Sequence, residues 1–188
     1  MSINGSRIQG TDIDLACVEK AVRDFMAALN LDVSESIWKS TPMRMAKAYA
    51  EILSPPKFEA RTFENTSDFR GVVTLRDISF QSICEHHLLP FTGVAAVTYA
   101  PGERVLGLSK LAWAVRHAAA RPQLQERITQ SVLDWLVETS GCEFAAVKIR
   151  ATHACVTLRG VRAEDAEMVT EASVGVPPPQ IALSERSS

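Results

Sequence analysis

The chain of 188 residues contains little that would direct it to a membrane, out of the cell or onto nucleic acid. No apolar run is long enough to span a bilayer, and the first residues lack the apolar core and cleavage region of a signal peptide. The formal net charge is −2, and no basic run with interleaved aromatic residues is present. We therefore expect a cytoplasmic protein that binds neither membrane nor nucleic acid.

Cysteine is scarce, with four residues in the whole chain. In a reducing cytoplasm these are better interpreted as metal ligands or buried thiols than as disulfides. Cys17 lies in a helical pattern, and Cys142 follows Gly141, where a helix is expected to end. Both are predicted to be bystanders, whereas Cys84 and Cys155 each lie beside histidine.

Two short segments combine thiols with imidazoles: CEHH at 84–87 and THAC at 152–155. Thiolate sulfur and imidazole nitrogen suit Zn²⁺ better than they suit hard, oxygen-seeking cations. Cys84 and His87 are three residues apart, close enough to bind one ion from a single turn. If the second segment forms a strand, its histidine and its cysteine point to the same face and can close the site.

The number of ligands decides what kind of zinc site is present, because four protein ligands make a closed structural site and three leave a position for water. We assign Cys84, His87 and Cys155 as the three ligands. His86 and His153 then remain free to carry protons near neutral pH. Two alternatives stay open: a structural site in which one of these histidines is the fourth ligand, and thiols that only fill a core.

The pattern of apolar residues predicts an α+β fold. A first helix is expected from Asp12 to Leu29 with Thr11 and Asp14 as a capping box, and a second from Thr41 as N-cap to about Leu53. Further along, strands are predicted at 72–80 and 91–100, helices at 109–119 and 122–141, and strands at 144–151 and 155–158. This order favours an antiparallel four-stranded sheet with two helices on one face.

Several segments of the chain resemble GTP cyclohydrolase I, and they occur in that family's order. They are TPMR at 41–44, CEHH at 84–87, GLSK at 107–110, RPQLQER at 121–127, and THAC at 152–155 followed by RGV at 159–161. The resemblance implies a tunnelling fold at 71–176, preceded by a helical extension and loop at 1–70. A tail at 177–188 is expected to be disordered.

The same resemblance implies a reaction and an assembly. GTP is the expected substrate, and zinc is the expected cofactor. Hydrolysis opens the guanine imidazole ring and releases formate, and rearrangement of the ribose gives 7,8-dihydroneopterin triphosphate at the start of folate and pterin synthesis. The expected assembly is a homodecamer of two stacked pentameric rings with active sites between subunits.

Roles for individual residues also follow from the resemblance. His153 would protonate the departing ring nitrogen, His86 would assist proton transfer, and Ser109 would serve the sugar rearrangement. Gln125 and Glu126 would read the guanine edge, for which a carboxylate is suited because the edge presents two donors. The expected triphosphate clamp consists of Lys110, Arg159 and, from a neighbouring subunit, Arg44.

One departure from the family pattern favours an alternative function. Trp113 stands where many members of the family carry an arginine that helps to hold phosphate. The alternative that it supports is a diverged paralogue that acts on a related purine nucleotide in a specialised pterin or deazapurine pathway. Two further alternatives are a nitrile reductase of the tunnelling fold and a non-catalytic assembly module stabilised by zinc.

Overall fold

The computed structural model describes residues 13–32, 36 and 38–178. The chain divides into two compact units, with the boundary between Ser54 and Pro55. The first contains two helices, and the second contains every strand and the remaining helices of the described residues. Within those residues, no helix has the length and apolar character needed to cross a bilayer. The domain boundary expected near residue 70 stays a prediction, and residues 179–188 of the expected tail lie outside the described residues.

The helical unit consists of α1 (Leu15–Ala28) and α2 (Thr41–Leu53). Asp14 is the N-cap of α1, because its carboxylate accepts hydrogen bonds from the backbone N–H of Ala16 and Cys17 at 3.0 Å. These bonds hold the pKa of Asp14 below its ordinary value. The proposed partner in a capping box, Thr11, lies outside the described residues. The N-cap of α2 is Ser40, one residue earlier than predicted.

The second unit has seven strands and three helices among the described residues. The strands are β1 (Thr62–Glu64), β2 (Val73–Cys84), β3 (Pro90–Tyr99), β4 (Arg104–Leu106), β5 (Pro122–Gln123), β6 (Ala145–His153) and β7 (Met168–Val174). The helices are α3 (Leu108–Ala119), α4 (Gln125–Ser140) and α5 (Ala154–Thr157). The main sheet has the order β5-β2-β3-β6-β7, and β1 pairs with β4 separately.

One face of the main sheet carries the core. Strand β6 buries every second residue from 145 to 151, as expected for a strand with one face turned to the core. Helices α3 and α4 supply the opposing side chains, of which Leu111, Ile128 and Leu136 are fully buried. The predicted antiparallel sheet of four strands with two helices is therefore confirmed in β2, β3, β6 and β7, as the tunnelling fold requires.

One predicted helix start and one predicted strand were wrong. The helix expected at 122–141 is present as α4 but begins at Gln125, because Pro122 and Gln123 form β5, which pairs in parallel with Ile83 and Cys84. A strand was expected at 155–158, but the chain there makes the helical turn α5, in which the Leu158 N–H donates to a carbonyl four residues earlier. The last strand is instead β7.

Candidate metal centre

A tight turn at the end of β2 presents the first two donors. Cys84 is the last residue of β2, and its backbone exchanges hydrogen bonds with Leu88 and Leu89 at 2.8 Å. These bonds reverse the chain into β3 and bring His87 back over Cys84. The Cys84 Sγ and the His87 Nδ1 lie 3.9 Å apart, so one turn supplies both donors, as the spacing predicted.

The third donor, Cys155, follows strand β6, which is separated from β2 in the sheet by β3. Strand β6 runs antiparallel to β3 and ends at His153, and α5 then carries Cys155 back to within 4.0 Å, sulfur to sulfur, of Cys84. The ligand atoms of Cys84, His87 and Cys155 all lie within 4.8 Å of one another. Zinc bonds to sulfur of about 2.3 Å in a tetrahedron require sulfurs about 3.8 Å apart. The donor set therefore fits a zinc ion.

The two thiols strengthen this interpretation. Burial, and then the neighbouring Cys84, raise the pKa of the Cys155 thiol. Two adjacent sulfurs cannot both ionise easily unless a cation compensates their charge. Among the described residues, His86 and His153 are not part of the group of donors. Cys17 is exposed and Cys142 is buried elsewhere, as expected for bystanders.

A cavity of about 300 Å³ lies beside the three candidate metal ligands. Its walls include Cys84 and Cys155 together with His86, His153 and Glu126. Glu126 is exposed in the first turn of α4. The cavity thus brings two candidate metal ligands, two imidazoles and a carboxylate to one place.

His153 is held within the wall of this cavity. Its ring stacks on Phe91, with centroids 4.2 Å apart and planes 9° from parallel. Burial lowers the pKa of His153, and the nearby Glu126 charge opposes this shift. Burial thus favours the neutral form of the His153 imidazole.

Gln125 is buried behind His153, with 1% of its surface exposed. Its Nε2, which carries two hydrogens, lies within hydrogen-bonding distance of three acceptors: the carbonyl oxygens of Ile149 at 3.2 Å and Met168 at 3.0 Å, and the Thr170 hydroxyl at 3.1 Å. Its Oε1 lies 2.8 Å from the Nε2 of His153. Protein groups therefore occupy both ends of the amide.

An ion pair that the sequence did not reveal ties the metal-binding turn to α4. Arg127 Nη1 lies 2.6 Å from a carboxylate oxygen of Glu85 and 3.1 Å from Gln123 Oε1. The hydrogen bond from Arg127 lowers the pKa of Glu85. Both residues lie inside the motifs at 84–87 and 121–127, so the signal was present, but only the fold shows that the two motifs meet.

Comparison with known proteins decides the family. A family model described as GTP cyclohydrolase I matches residues 18–185. The chain belongs to the GTP cyclohydrolase I family. It is 45% identical to a protein named GTP cyclohydrolase 1 from Bacillus subtilis, over 85% of this chain and 86% of that one. A protein of the same name from Rhodopirellula baltica is 40% identical, over 87% of this chain and 73% of that one.

A solved structure is also similar to this GTP cyclohydrolase I family member. Its title is "Crystal structure of the archaeosine synthase QueF-Like in the apo form". The TM-score is 0.47 at 16% identity, and the match covers 58% of this chain and 99% of that one.

Not every predicted site residue of this family member reaches the cavity within one chain. Helix α3 begins beside β4, where the Leu106 N–H donates to Tyr99 Oη, and it ends where Ser82 donates to the Ala119 carbonyl. Ser109 therefore lies about 15 Å along the helix axis from the end nearest Cys84.

Lys110 shares this position at the start of α3, whereas Arg44 belongs to the helical unit. Arg159 is close to the metal ligands, since its Nη1 lies 3.3 Å from His87 Nε2. The structure thus brings one expected phosphate ligand to the centre.

Proposed function

We propose that this protein is a GTP cyclohydrolase I. It takes GTP and one water molecule to formate and 7,8-dihydroneopterin triphosphate, the first step of folate and pterin synthesis. The observation that carries the proposal is the convergence of Cys84, His87 and Cys155 with His153 on one cavity, in a chain of this family.

The proposed cofactor is zinc, held by Cys84, His87 and Cys155. Two sulfurs and one imidazole nitrogen form a donor set typical of zinc, and three protein ligands leave one position open. When bound, zinc supplies Lewis-acid activation of water for attack on the purine carbon.

The remaining steps use the chain's own proton carriers and acceptors. His153 takes up a proton on the ring nitrogen that does not face Gln125 and gives it to the purine nitrogen that departs as the imidazole ring opens, and the exposed His86 exchanges protons with solvent. Glu126 accepts the N1–H and the exocyclic amine of guanine. Ser109 serves the rearrangement of the ribose that precedes closure of the second ring.

The triphosphate requires several cations, which we assign to Arg159, Lys110 and Arg44. Because Ser109 and Lys110 lie far from Cys84 in one chain, a complete site needs a second subunit, and a homodecamer is the assembly that we propose. Apolar side chains exposed around α5 and β7 support an assembly through this region. These side chains are Leu158, Val161, Val169, Val174 and Val176.

The proposal is tested by incubating the purified protein with GTP and measuring formate, pterin fluorescence after oxidation, and zinc per chain. We expect both products and about one zinc per chain. Cys155→Ser should lose zinc and turnover together, because a hydroxyl is a poor zinc ligand. Cys17→Ser, which replaces an exposed cysteine of α1, should keep both.

Other outcomes would contradict the proposal. A zinc-loaded protein that releases no formate from GTP but opens another purine nucleotide would indicate the diverged paralogue. A protein that binds zinc, turns over no purine nucleotide and unfolds when zinc is chelated would be an assembly module.

A further inference from the structure

The orientation of the buried Gln125 amide is fixed by its neighbours. The carbonyl oxygens of Ile149 and Met168 can only accept hydrogen bonds, and both lie within 3.2 Å of one end of the amide. That end must be the NH₂ group, since a carbonyl oxygen there would face two further oxygens. The Oε1 of Gln125 consequently faces His153.

Two threonine hydroxyls complete this buried network. The Thr129 Oγ1 donates to the Gln125 backbone carbonyl at 3.0 Å, which uses its only hydrogen. The Thr170 Oγ1, 2.7 Å away, therefore donates to Thr129. Its lone pairs face the Gln125 Nε2, which shares its two hydrogens among Thr170 and the two carbonyl oxygens. Every donor has an acceptor, so α4, β6 and β7 together hold the amide in one orientation.

This orientation determines the tautomer of His153. An amide oxygen only accepts, so at 2.8 Å the His153 Nε2 must carry a hydrogen. In the neutral ring, Nδ1 is then the nitrogen with a free lone pair, and stacking on Phe91 restrains the tilt of the ring. The Nε2 of His153 is hydrogen-bonded to Gln125, and Nδ1 remains available for proton exchange.

We propose that Gln125 is a positioning residue that fixes the tautomer and direction of His153, with Thr170 as its support. This inference rests on the proposed function for its catalytic consequence. It replaces the role of guanine reader expected for Gln125, because the amide is only 1% exposed and both its NH₂ group and its Oε1 already have protein partners. Thr170, outside every motif that the sequence offered, becomes part of the machinery.

Steady-state kinetics with GTP separate the two roles. Gln125→Met removes the acceptor with little change in volume, and we expect kcat to fall roughly 10- to 100-fold while KM stays within about twofold. Thr170→Val should lower kcat about two- to fivefold, because the two carbonyls still hold the amide. Thr170→Ser restores the hydroxyl and should approach the native kcat. A rise in KM with unchanged kcat in Gln125→Met would mean that Gln125 reads substrate, and would overturn the proposal.

The tautomer is measured directly by ¹⁵N NMR of the zinc-loaded protein labelled at histidine. The chain has four histidines, so His153→Asn identifies the relevant pair of signals. We expect a neutral ring with hydrogen on Nε2 in the native protein and a mixture of tautomers in Gln125→Met. A native ring with hydrogen on Nδ1 would refute the inference.

The two measurements keep failure of the inference distinct from failure of the proposed function. If the native protein does not turn over GTP, the proposed function fails. The inference is then decided by the spectra, and an unchanged Nε2–H tautomer in Gln125→Met contradicts it. If Gln125→Met does not fold, the inference is tested by the native spectrum and by comparing Thr170→Val with Thr170→Ser. Equal tautomer populations and equal kcat values in those two variants would count against the positioning role of Gln125.

Discussion

A single carboxylate of the cavity wall carries the proposed recognition of guanine. Glu126 is exposed in the first turn of α4 and lines the cavity with His153 and Cys84. Glu126→Gln keeps the shape but replaces one acceptor oxygen by a donor, which would face a donor of the guanine edge. Because a hydrogen bond to a charged group contributes about 1.5–3 kcal/mol, we expect kcat/KM for GTP to fall about 10- to 100-fold, mainly through KM.

Glu167 provides a matched control for this prediction, since it lines the same cavity and lies 3.8 Å from Arg150. Glu167→Gln should change kcat/KM by less than about threefold, as expected for an exposed ion pair. Inosine triphosphate lacks the exocyclic amine, so Glu126→Gln should lower kcat/KM less for inosine triphosphate than for GTP. Equal losses in both variants would point to the general negative charge of the cavity and count against recognition by Glu126.

At the level of single residues, chemical type and short spacing were enough to predict that Cys84, His87 and Cys155 come together. Two of these residues belong to one turn, and the third is marked by a second cluster of the same chemistry. The contacts of Gln125 could not be predicted in this way, because Thr170 and the other partners of its amide come from β6 and β7. Hydrogen bonds between distant segments leave no local pattern in a sequence.

Among the secondary-structure elements, those stabilised by local patterns were predicted best. Helices α1 and α2 follow from apolar residues at helical spacing, and they appear within a few residues of the expected bounds. Strand β5 was missed because the pairing of Pro122 and Gln123 with β2 is a long-range interaction. The β-branched residues of α5 predict a strand, but the chain there forms a helical turn that brings Cys155 toward Cys84.

The side chain of Tyr99, at the end of β3, forms a hydrogen bond with β4 whose contribution to stability can be tested by mutation. Its side chain is fully buried, and its Oη accepts a hydrogen bond from the Leu106 N–H at 2.8 Å. Tyr99→Phe leaves this N–H buried without a partner, so the free energy of unfolding should fall by about 1–3 kcal/mol. Urea unfolding followed by circular dichroism measures the change.

The control for Tyr99 is Thr98→Val on the adjacent position of β3, which removes a hydroxyl contact with Thr74 on the opposite face of the sheet. Its effect should stay within about 0.5 kcal/mol.

Burial raises the pKa of the Tyr99 phenol, so the unfolded chain ionises first above about pH 10. The stability difference between native protein and Tyr99→Phe should therefore shrink as pH rises through the raised pKa, and a constant difference would argue against the buried phenol.

At the scale of the whole molecule, one chain brings Cys84, His87 and Cys155 together but separates them from Ser109 and Lys110. The sequence motifs predicted both groups of residues. Neither spacing nor periodicity could show that the first group lies near the last turn of α3 and the second in its first turn. Their separation follows from the packing of α3 against the sheet, with its last turn beside Ser82. The proposed assembly, in which two chains share an active site, would reconcile the motifs with this geometry.

Mixed oligomers test whether two chains build one site. Cys155→Ser lacks the metal, and Lys110→Ala lacks a proposed phosphate ligand, so each variant alone should have little activity. If the proteins are unfolded and refolded together in equal amounts, about one quarter of the sites should combine an intact metal centre with an intact Lys110 from a neighbour. GTP turnover should recover to about that fraction of the native rate. A mixture of Ser109→Ala with Lys110→Ala should recover nothing, because both changes affect the same contribution. If the first mixture also stays inactive although hybrid oligomers form, each chain must supply its own complete site.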